Sequence, residues 1–143
     1  LFDPSAPELD LDGEVDLALV IRGMQCWVRD DSVDRWLQAI HRALKPGGTL
    51  GIVQHRAAAD ADPKESATRG YLPQAWVIEQ VEAQGFKLAA KSEINANPKD
   101  TRDHEGGVWA LPPTLRNGDK DREKYLAIGE SDRMTLRFTK VAK

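Results

Sequence analysis

The sequence predicts an α/β fold in which a parallel βαβ core is followed by a C-terminal antiparallel strand pair. Three observations carry this reading. Val15–Ile21 is an almost unbroken apolar run, partly β-branched, which is the pattern of a strand covered on both faces. Val33, Trp36, Leu37, Ile40 and Leu44 then recur at spacings of three and four residues. They form the apolar stripe of an amphipathic helix, with Asp34, Arg35, Gln38 and Arg42 outside it. A second buried-type strand, Thr49-Leu50-Gly51-Ile52-Val53-Gln54, follows a Lys45-Pro46-Gly47-Gly48 stop. Two such strands joined by a helix are expected to run parallel with a right-handed crossover.

Composition narrows the function classes. The 143 residues suffice for one domain and one core. Twenty basic against 23 acidic side chains leave a net charge of −3, which argues against a nucleic-acid partner. No apolar run approaches the length of a membrane span, and no signal-peptide layout is visible, so no membrane partner is expected and the cytoplasm is the default compartment. Cys26 is the one cysteine, so an internal disulfide is excluded; it reads as a small buried residue. The chain opens on Leu1-Phe2-Asp3-Pro4 without an initiator Met, so a processed product or part of a longer protein is expected.

The remaining elements follow in order. Residues 1–14 read as an exposed lead-in with a turn at Asp12-Gly13. Arg22, Gly23, Met24, Gln25, Cys26 and Trp27 read as a loop leaving the first strand, with Asp30, Asp31 and Ser32 capping the crossover helix. The core thus occupies 15–54. Residues 55–94 add a polar, mobile connection to Gly70, a helix with Pro73 in its first turn and Trp76, Val77, Ile78 and Val81 on its packing side, and a more charged strand over 86–94 that suits a sheet edge. Residues 95–133 form a long polar loop of the kind that serves as a lid, with a short helix over 122–128. Residues 134–143 hold a last strand that alternates cleanly and pairs antiparallel with 86–94.

This order resembles the C-terminal half of a class I S-adenosylmethionine-dependent methyltransferase, a Rossmann-like sheet. The resemblance rests on Val15–Ile21 with the residues after it, and on Arg42-Ala43-Leu44-Lys45-Pro46-Gly47-Gly48-Thr49-Leu50. More specifically, Ser92-Glu93-Ile94-Asn95-Ala96-Asn97-Pro98-Lys99-Asp100 and Gly129-Glu130-Ser131-Asp132-Arg133-Met134-Thr135-Leu136 resemble a bacterial group of methyltransferases of unassigned substrate. The family's glycine-rich turn after its first strand, and the acidic residue after its second, have no counterpart in this sequence. The resemblance therefore implies a partial fold lacking the N-terminal glycine-rich half, with roughly half of the cofactor shell outside the chain. It also implies an open edge at Val15–Ile21, where the missing half or a second copy of the chain would pair.

Ligands of open α/β sheets bind beyond the carboxyl ends of the strands. The resemblance places S-adenosylmethionine against Arg22, Gly23, Met24, Gln25 and Trp27, although Met24 and Trp27 equally suit a packed strand exit. His55 is the candidate general base, since an unperturbed imidazole titrates near neutrality; a histidine holding a structural hydrogen bond fits the same position. Arg56, Asn97, Trp109, Arg116 and Tyr125, with Glu130 and Arg133, are candidates for contact with a small-molecule acceptor or for a lid over it, although Trp109 suits an anchor of the loop on the sheet at least as well. Asp100, Asp103, His104 and Glu105 match no metal-ligand spacing, and a solvated acidic loop is the favoured reading, so no metal is expected. Two functions compete: methyl transfer to a small molecule, and a non-catalytic fragment that associates through its sheet edge. A nicotinamide enzyme is disfavoured because the glycine-rich fingerprint is missing.

Overall fold

A computed structural model describes residues 3–142, leaving Leu1, Phe2 and Lys143 outside the description. Strand β1 (Val15–Ile21) leads through α1 (Met24–Arg29) and α2 (Val33–Ala43) into β2 (Leu44–His55). Then come α3 (Pro63–Ala67), α4 (Gln74–Ala83) and β3 (Phe86–Ser92). A single 3₁₀ turn (Gly107–Ala110), α5 (Arg122–Ile128) and β4 (Arg133–Lys140) complete the chain. The sheet has four strands in the order β1-β2-β4-β3. β1 and β2 are parallel, and β4 runs antiparallel to both β2 and β3. The predicted β4–β3 pairing is present, and β3 is at the edge. The β2–β4 pairing, which the sequence reading did not anticipate, puts Gln54 opposite Met134 and His55 opposite Arg133.

One core lies between a single face of this sheet and the helices. It joins Val20, Leu50, Ile52, Leu136 and Phe138 from the strands to Leu37, Ile40, Val77 and Val81 from α2 and α4. Among the described residues nothing covers the opposite face. Leu17, Leu19 and Ile21 are 52%, 61% and 54% exposed, and they border a shallow trough of about 320 Å³ across Gly51, Val53 and Thr135. The expectation that β1 is covered on both faces is therefore corrected for the described residues. Its sequence is that of a doubly covered strand, but the helices α1, α2 and α4 contribute their apolar side chains to one side only.

Other local expectations are also revised. The residues after β1 are not a loop: Met24 and Val28, one helical turn apart, both pack into the core and fix α1. Ser32 stands at the N-cap of α2, but its side chain accepts no helix amide; its hydroxyl instead donates to the Trp27 carbonyl. β2 begins at Leu44 and includes the Pro46-Gly47-Gly48 stretch, which shifts its register on β1 between Val15 and Leu17. The connection after β2 is structured: Arg56 bridges Leu72, and Asp62 caps α3 by accepting from the Glu65 amide. No helix among the described residues is long and apolar enough to cross a membrane.

The long segment between β3 and β4 is held by buried charge. Asp132 is 2% exposed and accepts from Arg56 Nε and Nη2, from Arg102 Nη2 and from the Asn97 amide. Arg56 also grips Glu93 through two nitrogens and donates to Gln74. Asp100, equally buried, accepts from Tyr71 Oη, from the amides of Arg102 and Asp132, and pairs with His104 Nε2 at 2.8 Å. Asp100 and His104 are thus internal, which corrects the solvated-loop expectation for these two; Asp103 and Glu105 are exposed.

Burial alone would raise the Asp132 pKa, but the hydrogen bonds from Arg56, the Asn97 amide and Arg102 outweigh it and hold the carboxyl below its usual range. Its contribution to stability is accordingly complete above the unfolded-state value of about 4 and is lost as pH falls below that. Asp132→Ala leaves Arg102 without a carboxylate and Arg56 with only Glu93 and Gln74, and is expected to lower stability by about 3 kcal/mol in urea denaturation at pH 7. A loss under about 1 kcal/mol would show that the cluster is incidental.

Candidate functional site

The carboxyl ends of β1 and β2 open into a crevice of about 250 Å³ lined by Arg22, Gln25, His55, Trp109, Ser131 and Arg133, among others. Each wall has a local cause. Arg22 leaves β1 in the left-handed region, at φ 56°, with its amide tied to the Val53 carbonyl. That conformation costs a non-glycine residue about 1 kcal/mol or more. It turns the chain sharply into α1. Gln25 is fixed rather than free. Its amide nitrogen donates to the Arg22 carbonyl, and its oxygen accepts from Gln54, which also donates to the Gly70 carbonyl.

Trp109 is placed by glycine. Gly107 has φ 69°, and a Cβ there would lie 2.6 Å from the Arg69 carbonyl oxygen. Val108 bonds that same carbonyl, so the turn is pressed against the end of α3 as only glycine permits. Arg116 lies over the Trp109 ring at 4.8 Å, and Arg29 at 5.9 Å. Pro112, Pro113 and Thr114 continue this wall.

His55 forms the floor at 8% exposure. Its Nδ1 lies 2.5 Å from Ser131 Oγ, which accepts from Arg133 Nε at 3.1 Å. Ser131 can then donate its hydroxyl proton to Nδ1, and the arrangement that uses every group leaves the His55 proton on Nε2. Desolvation, reinforced by the Arg133 and Arg22 charges and opposed only weakly by Asp100 and Glu130, lowers the His55 pKa to about 4. The near-neutral titration expected from the sequence is corrected: this imidazole is uncharged at physiological pH.

Of the residues singled out in the sequence, Arg22, Gln25, His55, Trp109 and Arg133 line the crevice, with Arg116 over the Trp109 ring and Glu130 paired to Arg133. Others are elsewhere. Met24 is fully buried in the core, and Trp27 packs against the core and stacks on Trp36 at 5.1 Å. Gly23 is the N-cap of α1. Arg56 is committed to Asp132, Glu93 and Gln74. Asn97 caps the carbonyls of Ile128 and Glu130, and Tyr125 is buried with Ala110 and Leu111. Cys26 is half-buried and accepts from Arg29. Ser131 and the Pro112-Pro113-Thr114 wall were missed. The signal for Ser131 was its place two residues before Arg133, whose antiparallel partner is His55. Among the described residues no group of three or more His, Cys, Asp or Glu side chains is placed to hold a metal ion.

No protein-family model matches the chain, and no curated protein matches it. Solved structures do. A SAM-dependent methyltransferase from Methanosarcina mazei is similar at a TM-score of 0.60 and 9% identity, over 99% of this chain and 66% of that one. A 1,6-didemethyltoxoflavin-N1-methyltransferase from Burkholderia thailandensis, solved with its substrate and S-adenosylhomocysteine, gives 0.55 and 15%, over 94% and 48%. The [4+2]-cyclase SpnF gives 0.58 and 16%, over 99% and 55%. The fold is therefore that of the class I SAM-dependent methyltransferases, and the chain spans about half to two thirds of the length of these structures.

The site makes one titration prediction. With a folded-state pKa of about 4 against about 6.5 unfolded, the unfolded chain takes up the His55 proton first, so stability drains as pH falls from about 6.5 to about 4. NMR of the imidazole, assigned with His55→Gln, should show no protonation between pH 8 and about 5. A midpoint above about 6 would mean that the floor is hydrated and open.

Proposed function

We propose that this chain forms the acceptor side of an S-adenosylmethionine-dependent methyltransferase acting on a small molecule. The observation that carries the reading is the half-covered sheet: a crevice at the carboxyl ends of β1 and β2, beside a β1 whose outer edge and apolar face have no partner among the described residues. The neighbours share this fold over only part of their own length. The occupant we assign to the β1 edge is a complementary segment with a strand and a glycine-rich turn, rather than a second copy. The division of the chain into a 15–54 core and a 95–133 wall belongs to the same proposal. The neighbours do not favour a purely structural module, two of them being methyltransferases.

The residues present fit one side of the cofactor. Gly23 and the Arg22 backbone mark the open exit of β1, while Met24, Gln25 and Trp27 are already occupied by the protein. When bound, the cofactor supplies the electrophilic methyl group. The chain's own residues act on the acceptor. Trp109 with Pro112 and Pro113 excludes water from one side of the crevice. His55, neutral and protonated on Nε2, is a donor that orients the acceptor rather than a base that deprotonates it. Methyl transfer to an already nucleophilic atom needs positioning more than proton removal.

Calorimetric titration of S-adenosylmethionine tests the reading in two arms. Into this chain alone, little or no binding is expected. Supplied with a complementary strand–glycine turn–helix segment, the chain should bind in the micromolar range, about −8 kcal/mol. Absence of binding in the second arm, with the two parts shown to associate, would overturn the proposal.

A further inference from the structure

The crevice has a charge that methyl transfer as such does not require. Its lining carries two guanidinium groups, Arg22 and Arg133, and no carboxylate. The Arg22 guanidinium has no hydrogen-bond or ion-pair partner among the described residues, whereas Arg56, Arg69, Arg102 and Arg133 are ion-paired. Arg133 spends one nitrogen on Ser131 and another on the exposed Glu130 at 3.1 Å, and remains within the lining. Arg116 and Arg29, both over Trp109, add positive charge behind that wall. His55 shares this lining; its Nδ1 is taken by Ser131, so Nε2 is the ring nitrogen without a hydrogen-bond partner among the described residues.

We propose that the acceptor handled at this crevice carries an anionic group, of the carboxylate class, held between Arg22 and Arg133 with His55 Nε2–H as a third donor. This rests on the methyltransferase reading above and names its substrate class. Three observations converge on it. A planar guanidinium left unpaired beside a concave surface is a ready bidentate partner for a carboxylate. Arg22, one of six non-glycine residues with a positive φ, carries this charge on a left-handed backbone at the end of β1, within the crevice lining. The cavity, at about 250 Å³, lies just below the range of drug-sized sites and suits a small molecule of one ring or less. The positive field of Arg133 and Arg22 is also what helps to keep His55 unprotonated, so the floor offers a hydrogen bond without adding a charge that solvent ions would screen.

Benzoate and benzamide are the probes, alike in shape and differing in charge. NMR titration of this chain follows the Trp109 indole and the His55 ring. Benzoate is expected to shift both signals and to bind at least fivefold tighter than benzamide. Arg22→Gly is the test variant because glycine accepts the φ of 56° without strain, so folding is not at risk. It should weaken benzoate at least fivefold and leave benzamide unchanged. Equal affinity for the two probes, or an unaltered benzoate affinity in Arg22→Gly, would overturn the proposal. The measurement involves no cofactor. Its failure alongside successful cofactor binding leaves a methyltransferase for neutral acceptors, and the converse leaves an anion site without methyl transfer.

Discussion

A carboxylate clamped between two arginines sets the geometry of the strand ends. Asp132 lies at the entry to β4, with Arg56 just beyond β2 and Arg102 and Asn97 in the long segment before it. Removing such charges from water is costly, and a lone ion pair would barely compensate. Here every acceptor position is used, and Arg56 has Glu93 and Gln74 for its remaining nitrogens. A fully satisfied network is stiff, because any displacement exposes an unpaired charge. The consequence for the crevice is direct. Ser131 and Arg133 flank Asp132 in sequence; Ser131 bonds the His55 imidazole and Arg133 is the strand partner of His55. The Asp100 carboxylate extends the same logic to Tyr71 and His104, whose contacts keep the loop seated next to Trp109.

The fold was legible where a pattern repeats along one element. The apolar runs of β1 and β2, the stripe of α2, the short α5 and the alternation of β4 could all be read from residue order. Relations between distant segments were not legible. Alternation identifies β4 as a strand, but nothing local says that it lies between β2 and β3. α1 spans six residues, too few for a periodicity to stand out, and of its buried residues only Met24 and Val28 are apolar, Gln25 being polar. Site residues divide in the same way. His55 and Arg22 were found because strand ends are readable. Arg56, Asn97 and Tyr125 were taken for ligand-facing groups because a sequence does not reveal whether the partner of a polar side chain is protein or solute; for these three it is protein.

Sharing a fold does not transmit a reaction. The neighbours include methyltransferases and a [4+2]-cyclase on one architecture, so chemistry has to be argued from the site. The bare side of the sheet is the stronger constraint on assembly. Full burial of a leucine or isoleucine side chain contributes about 1.5–3 kcal/mol, and Leu17, Leu19 and Ile21 are each more than half exposed. An open parallel edge beside them adds unpaired backbone groups. A complementary layer would satisfy both at once, and it would close the crevice on the side where β1 now ends.

Proton chemistry and charge in the crevice point the same way. A general base is most effective when its pKa lies near the working pH, and burial beside two arginines takes His55 far from that condition. What the arrangement keeps instead is direction: Arg133 orders Ser131, Ser131 orders the imidazole, and the imidazole is left with one donor in a fixed place. In the same lining, Arg22 holds a strained backbone and a charge unpaired among the described residues. Under the methyltransferase proposal, a site built this way would orient a bound molecule by its acceptor atoms and leave that molecule's own nucleophile to react. The rigidity supplied by the Asp132 cluster then matters to function as well as to folding, because orientation survives only as well as the wall that enforces it.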